Sequence, residues 1–174
     1  MALDSDLWSR SGTPRVPARS VRPVSAWDAS LTTGEGPLCR AKWDVICRIV
    51  NRLEESGFFC VGGTIGFEEP SFLWRVLTYC YTQEFFGSQR ILIWMKQPDG
   101  LRAELKGRVV WASDLRGFRR NNRKVLTLAV EEATKELTPT PIQRARAACG
   151  ISPAEFADLS VREAIRLDLG ETDD

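Results

Sequence analysis

The chain has 174 residues, 43% of them hydrophobic, and a formal net charge of +1. This length predicts a single globular domain with a substantial core, and the balanced charge excludes a uniformly basic nucleic-acid-binding protein. Histidine is absent, which excludes Ser-His-Asp and Cys-His nucleophilic catalysis and metal sites built from imidazole. We therefore expect a protein that is not an enzyme, with no metal site and no cofactor.

Residues 1–36 combine proline, arginine and small polar residues without sustained hydrophobic periodicity. This composition predicts a flexible basic arm ahead of one globular domain over residues 37–174, although a plain disordered tail fits it equally well. The first residues lack the cationic and apolar regions of a signal peptide, and no stretch reaches the roughly 20 apolar residues of a membrane span. The arm residues that we expect to contribute to self-association are Trp8, Arg10, Pro14, Arg15, Pro17, Arg19 and Arg22.

Two helices are predicted where apolar residues recur at spacings of three and four. The first begins near Gly36 and Pro37 and ends at Gly57, and the second begins at Pro70 or Ser71 and continues to Gly87. Proline at the first position of a helix and glycine just after its end are typical of helix boundaries.

Three glycines precede the second helix, at positions 62, 63 and 66. A phosphate-binding loop would need a following lysine or a longer glycine motif, whereas Glu68 and Glu69 stand at the helix entrance and would repel phosphate. A strand with small residues on one face fits better, and it predicts close packing against a neighbouring element. The sequence therefore predicts a structural strand at this position and no cofactor site.

The middle of the chain predicts β-structure. A continuous apolar run at 90–96, a turn at 97–100 and an alternating pattern at 101–111 together indicate a hairpin, and residues 125–130 indicate another strand. The C-terminal part predicts short helices, one opened by Thr140 and Pro141 and others by capping boxes at Ser152 and Ser160. The expected fold class is α+β, a small antiparallel sheet packed with several helices and preceded by the flexible N-terminal arm.

The segment 113–124 is predicted to be an exposed basic loop that binds an anionic partner. One interpretation is an anionic bilayer that Phe118 penetrates, and another is a nucleic acid on which Phe118 stacks. The third is a solvated connection between strands, with Phe118 packed on the sheet. The candidate binding residues are Arg116, Phe118, Arg119, Arg120, Arg123 and Lys124.

The order of features over 58–111 resembles that of rhabdovirus matrix proteins, especially the small ones of plant-infecting cytorhabdoviruses. In that family a glycine-containing strand leads into an apolar helix, as 61–67 leads into 71–86 here. The glycine-polar-polar-arginine turn at 87–90 and the Gly-Arg-aliphatic-aromatic stretch within 106–111 are also similar. The sequence contains neither Pro-Pro-x-Tyr nor Pro-Thr-Ala-Pro, so the resemblance does not imply recruitment of host sorting machinery.

The resemblance implies a non-enzymatic structural protein of the virion and host cytoplasm, peripheral on the inner membrane leaflet. It also implies self-association through the arm, binding of the viral nucleocapsid or RNA, and no small-molecule substrate. A nucleic-acid-binding module, such as a viral silencing suppressor or regulator that uses residues 116–124, is the second hypothesis. The third is a small enzyme that uses carboxylates, namely Glu68, Glu69, Glu131 and Glu132.

Overall fold

The computed structural model describes residues 37–58 and 69–170, and within these ranges it contains helices and no β-strand. The helices are α1 (Arg40–Glu55), α2 (Pro70–Thr82), α3 (Ser88–Lys96), α4 (Arg102–Leu105), α5 (Ala112–Asn121), α6 (Arg123–Glu136), α7 (Pro141–Ala148) and α8 (Pro153–Leu169). The predicted α+β fold with an antiparallel sheet is therefore wrong. The predicted arm, the glycine-rich strand at 59–67 and residues 171–174 lie outside the described residues.

Helix α2 forms the centre of the fold. It packs against α1, α5, α6 and α8, and almost every residue from Phe72 to Thr82 is buried, including Trp74 and Tyr81. A helix that is apolar on all sides is stable in water only when other helices surround it. The neighbouring α1 and α6 each bury one stripe instead, as Trp43 and Ile46 of α1 show.

The most extensive helix pair joins α6 to α8. Small residues are fully buried on both helices, Ala129 and Ala133 on α6 and Ala157 and Ala164 on α8. Small side chains allow two helix backbones to approach closely, so this pair closes one side of the core. The α6 stripe also explains why the strand predicted at 125–130 is wrong, because its buried positions recur at helical spacing.

The predicted strand at 90–96 is helix α3. Ile91, Trp94 and Met95 are buried, whereas Ile93 is 62% exposed, and the buried positions have helical spacing. An apolar run of this length is compatible with either a buried strand or a helix, so periodicity alone did not distinguish them.

The predicted turn at 97–100 is present, but no strand follows it. The chain instead forms the single turn of α4 and then reverses at Lys106 and Gly107, both of which have positive φ. Residues 108–111 then follow without helix or turn, and the backbone at Trp111 is extended. Val110 points into the core there, while Val109 and Trp111 are exposed.

Helix ends follow the local signals more closely. Gly57 has a φ of +86° after α1, as expected of a terminating glycine. The hydroxyl of Thr140 accepts a hydrogen bond from the Gln143 amide at 3.1 Å, and Ser152 caps α8 in the same way. The capping box predicted at Ser160 is wrong, because this residue is buried in the middle of α8.

Candidate functional site

The predicted basic loop is mostly helical, and its aromatic residue is inaccessible. Leu115, Phe118 and Arg119 stand at helical spacing on the buried face of α5, and Phe118 is 0% exposed. The Trp111 amide donates to a carboxylate oxygen of Asp114 at 2.8 Å, which stabilises the N-terminus of the helix. The prediction of an exposed Phe118 that inserts into a bilayer or stacks on a base is therefore wrong.

Arg119 is also fully buried. Its Nη1 donates to the Ser88 hydroxyl at 2.9 Å and pairs with the Asp168 carboxylate, and its Nη2 donates to the Phe86 carbonyl at 2.6 Å. The guanidinium lies 5.5 Å from the centroid of the Tyr81 ring. These contacts join α2, α3, α5 and α8, so Arg119 has a structural role and is not free to bind a macromolecule.

The other four cations of the predicted site differ in accessibility. Arg123 pairs with Asp158 at 2.9 Å, and this hydrogen bond lowers the pKa of the Asp158 carboxyl. Arg116 is partly exposed, with its Nε 4.0 Å from the Asp168 carboxylate. Arg120 and Lys124 are exposed, and neither has an ion pair with any residue of the described ranges. Arg116, Arg120 and Lys124 therefore remain as candidates for an anionic partner.

The carboxylates of the enzyme hypothesis are held in ion pairs at the surface. Glu69 pairs with Arg108, while Glu131 and Glu132 both pair with Lys135, at 2.7 Å and 2.9 Å. Among these described carboxylates, Glu69 therefore belongs to a different ion pair from the one that Glu131 and Glu132 share. Glu68 and the predicted self-association residues of the arm, Trp8, Arg10, Pro14, Arg15, Pro17, Arg19 and Arg22, lie outside the described residues.

A different surface combines apolar and basic side chains. Ile93, Val109 and Trp111 are 62%, 65% and 66% exposed. Helix α3, which carries Ile93, packs against α4 and α5, and residues 106–111 connect these two helices. Exposed cations lie on the same elements. We call this region the apolar–basic surface, and it consists of Ile93, Lys96, Arg102, Lys106, Val109 and Trp111.

The extended segment within this surface is anchored at alternate residues. Arg108 donates to the Glu104 carbonyl at 3.1 Å, pairs with Glu69 and lies 5.1 Å from the Phe72 ring centroid. Val110 is buried. Neighbouring side chains of an extended segment point in opposite directions, so this anchoring leaves the side chains of Val109 and Trp111 facing solvent. The sequence shows this alternation, with Val109 and Trp111 on the apolar face of the predicted strand. In the structure these two side chains of that face are exposed.

Comparisons of the chain with protein-family models, curated proteins and solved structures find no match. Within residues 37–58 and 69–170, no helix has the length and apolar character needed to cross a bilayer. The same ranges contain no group of three or more cysteine, aspartate or glutamate residues arranged to hold a metal ion.

Proposed function

We propose that the chain is a non-enzymatic structural protein that binds anionic membranes peripherally through the apolar–basic surface. The observation that carries this proposal is the exposure of both Val109 and Trp111, which are two residues apart on an anchored segment. Isolated apolar residues are common on protein surfaces, but two are exposed here on one short segment, and Ile93 on the neighbouring α3 is a third. Lys96, Arg102 and Lys106 supply exposed cations on the same elements.

Each part of the surface has a physical role at a bilayer. Tryptophan is favoured at the headgroup level because its ring is apolar and its N–H is polar. Aliphatic side chains such as Val109 and Ile93 gain free energy when they leave water for the acyl boundary. Each lysine or arginine near an anionic leaflet contributes about 1 kcal/mol, so the three cations together contribute about 3 kcal/mol.

The assembly role is proposed from the resemblance to rhabdovirus matrix proteins. In this role the protein belongs to the virion and host cytoplasm, lies on the inner leaflet, bridges the nucleocapsid to it and self-associates through residues 1–36. An apolar helix does follow the glycine-containing stretch, as α2 (Pro70–Thr82). The strand expected after that helix is replaced by α3, so the exposed surface supports membrane binding more directly than the resemblance does.

RNA binding is the second candidate. An exposed tryptophan can stack on a base, and Arg120 and Lys124 can contact phosphates. Two of the three apolar residues are aliphatic, however, and Ile93 and Val109 have no ring with which to stack. The composition of the surface therefore favours a bilayer over a nucleic acid.

Vesicle flotation tests the proposal. We expect the full chain to float with vesicles that contain phosphatidylserine and to bind vesicles of phosphatidylcholine alone much more weakly. Trp111→Ala should lower the partition coefficient at least about tenfold, since burial of one large apolar side chain contributes about 1.5–3 kcal/mol. Leu159→Ala is the control, because Leu159 is an exposed apolar residue on α8.

Two outcomes would contradict membrane binding through this surface. In the first, Trp111→Ala and Val109→Ser float as well as the unmodified chain. In the second, the chain ignores vesicles but binds single-stranded RNA with an affinity that falls steeply with salt, as counterion release requires. If Trp111→Ala then weakens RNA binding, the nucleic-acid hypothesis replaces the membrane hypothesis.

A further inference from the structure

A small cleft lies between the C-terminal half of α5 and the end of α8. Its volume is about 140 Å³, and its lining residues are Arg116, Arg119, Arg120, Ile165, Asp168 and Leu169. A single buried water needs only about 10–15 Å³ of such space, so the cleft accommodates a group of several heavy atoms.

The charges lining the cleft do not balance. Both oxygens of the only lining carboxylate, Asp168, are engaged, one by the Ser88 hydroxyl at 2.7 Å and the other by Arg119. This buried pair is neutral as a unit. Arg116 and Arg120 therefore add two positive charges, and the 4.0 Å from Arg116 to Asp168 exceeds a hydrogen-bond distance.

Two donors near the cleft are left without acceptors. The Nε atoms of Arg116 and Arg119 are buried, and neither has a hydrogen-bond partner in the described part of the chain. Arg119 is 0% exposed, so water does not solvate its Nε–H. A buried N–H without an acceptor costs free energy, and the negative charge of an anion in the adjoining cleft would offset part of this cost.

We propose that this cleft binds a phosphate group, either of a soluble phosphate compound or of a lipid headgroup. Arg116 and Arg120 are four residues apart on one helix, so their Cβ atoms lie about 5–6 Å apart. Both guanidinium groups can therefore reach one tetrahedral anion. Guanidinium groups match the geometry of phosphate oxygens by donating two parallel hydrogen bonds. Ile165 and Leu169 provide an apolar wall for an attached organic group.

The phosphate cleft is distinct from the apolar–basic surface, so the inference does not depend on the proposed function. Its residues lie on the second half of α5 and on α8, whereas Trp111 precedes α5. A substitution of Trp111 should leave phosphate binding unchanged, and a substitution of Arg120 should leave insertion of Trp111 intact.

Nitrogen-proton NMR spectra of the arginine Nε–H groups test the inference directly. Titration with inorganic phosphate at constant ionic strength should shift the Nε–H signals of Arg116 and Arg119, with saturation at millimolar concentration. Arg120→Gln should weaken phosphate binding about tenfold, which corresponds to about 1.4 kcal/mol. Arg48→Gln, an exposed arginine on α1, should change it less than about twofold.

Vesicles distinguish the two sources of phosphate. If the chain binds vesicles of phosphatidic acid better than vesicles of phosphatidylserine at equal charge, and Arg120→Gln removes the excess, the ligand is a lipid headgroup. If phosphate binds but the excess is absent, the ligand is a soluble phosphate compound. The inference is overturned if phosphate leaves both Nε–H signals unchanged, or if Arg48→Gln weakens binding as much as Arg120→Gln.

Discussion

The buried guanidinium of Arg119 on α5 pairs with the carboxylate of Asp168 on α8, and a single hydroxyl joins the two. Ser88, at the start of α3, accepts a hydrogen bond from Arg119 at 2.9 Å and donates one to Asp168 at 2.7 Å. A buried charge is tolerated only when it is paired and hydrogen-bonded. This network meets both conditions and fixes three helices against one another.

Replacement of Arg119 by methionine should therefore be strongly destabilising. The substitution keeps an apolar side chain of moderate length but leaves Asp168 without its hydrogen-bonded cation and the Phe86 carbonyl without its donor. Removal of one partner of a buried ion pair costs about 3–5 kcal/mol. Urea denaturation followed by circular dichroism measures the change in the free energy of unfolding.

The double substitution Arg119→Met with Asp168→Leu separates the charge from the packing. It removes both charges, so it should recover at least about 1 kcal/mol of the loss caused by Arg119→Met alone. A double variant that is less stable than Arg119→Met would show that the uncompensated carboxylate is not the cause.

Exposed Trp111 should report bilayer contact by fluorescence. Among the tryptophans that the structure describes, Trp43, Trp74 and Trp94 are buried and only Trp111 is exposed. Anionic vesicles should therefore shift the emission to shorter wavelength, because the indole leaves water. Trp111→Phe should abolish most of this shift while flotation persists, since phenylalanine retains the apolar ring. An equal shift in the unmodified chain and in Trp111→Phe would assign the signal to another tryptophan.

Gly100 should not tolerate a side chain. A Cβ atom at this buried position would lie 1.9 Å from the carbonyl oxygen of Trp94, a backbone atom that cannot rotate away. Gly100→Ala should therefore lower the free energy of unfolding by about 1–3 kcal/mol, the usual cost of overpacking. Gly87→Ala is the control, because its Cβ would meet only the Arg90 side chain, at 3.9 Å. Equal effects of the two substitutions would contradict the close approach at Gly100.

The sequence predicted those parts of the fold that depend on local chemistry. Gly57, Thr140 and Ser152 mark helix boundaries because the backbone conformation or the capping hydrogen bond involves residues within one turn. The type of element at 90–96 depends instead on which neighbours cover the apolar run. With Ile93 facing solvent and Trp94 facing the core, the run is half covered, and a helix satisfies its own backbone hydrogen bonds without a partner strand.

The candidate site also depends on contacts between residues that are distant in the sequence. Arginines beside glycine and asparagine indicated a solvated loop, and Arg119 is buried only because Asp168, 49 positions later, supplies the opposite charge. No local sequence pattern predicts a partner at such a distance along the chain. The alternating pattern at 101–111 includes Trp111, but the pattern does not show whether another element covers this side chain. No strand of the described residues covers it, and it is exposed.

Glu84 follows α2 in an unusual setting. Its φ is +60°, it is partly buried, and its carboxylate accepts a hydrogen bond from the Thr140 hydroxyl at 3.1 Å. Burial raises the pKa of the Glu84 carboxyl above its ordinary value of 4.5, against the opposing effects of the Arg146 charge and the Thr140 hydrogen bond. The folded chain therefore holds this proton more tightly than the unfolded chain does.

This difference predicts a pH-dependent gain from Glu84→Gln. Ionisation of Glu84 costs more in the folded state, so its contribution to stability decreases as the pH rises from 4.5 through the folded-state pKa. Glu84→Gln keeps an acceptor for Thr140 and removes the charge, so it should stabilise the chain at neutral pH and lose that advantage below 4.5. Glu155→Gln should do the opposite, because hydrogen bonds from Ser152 lower the pKa of Glu155 and its stabilisation disappears as the pH falls. Urea denaturation from neutral pH to below 4.5 measures the free energy of unfolding of both variants. A loss of stability in Glu84→Gln at neutral pH would show that the effect of the Arg146 charge outweighs that of burial.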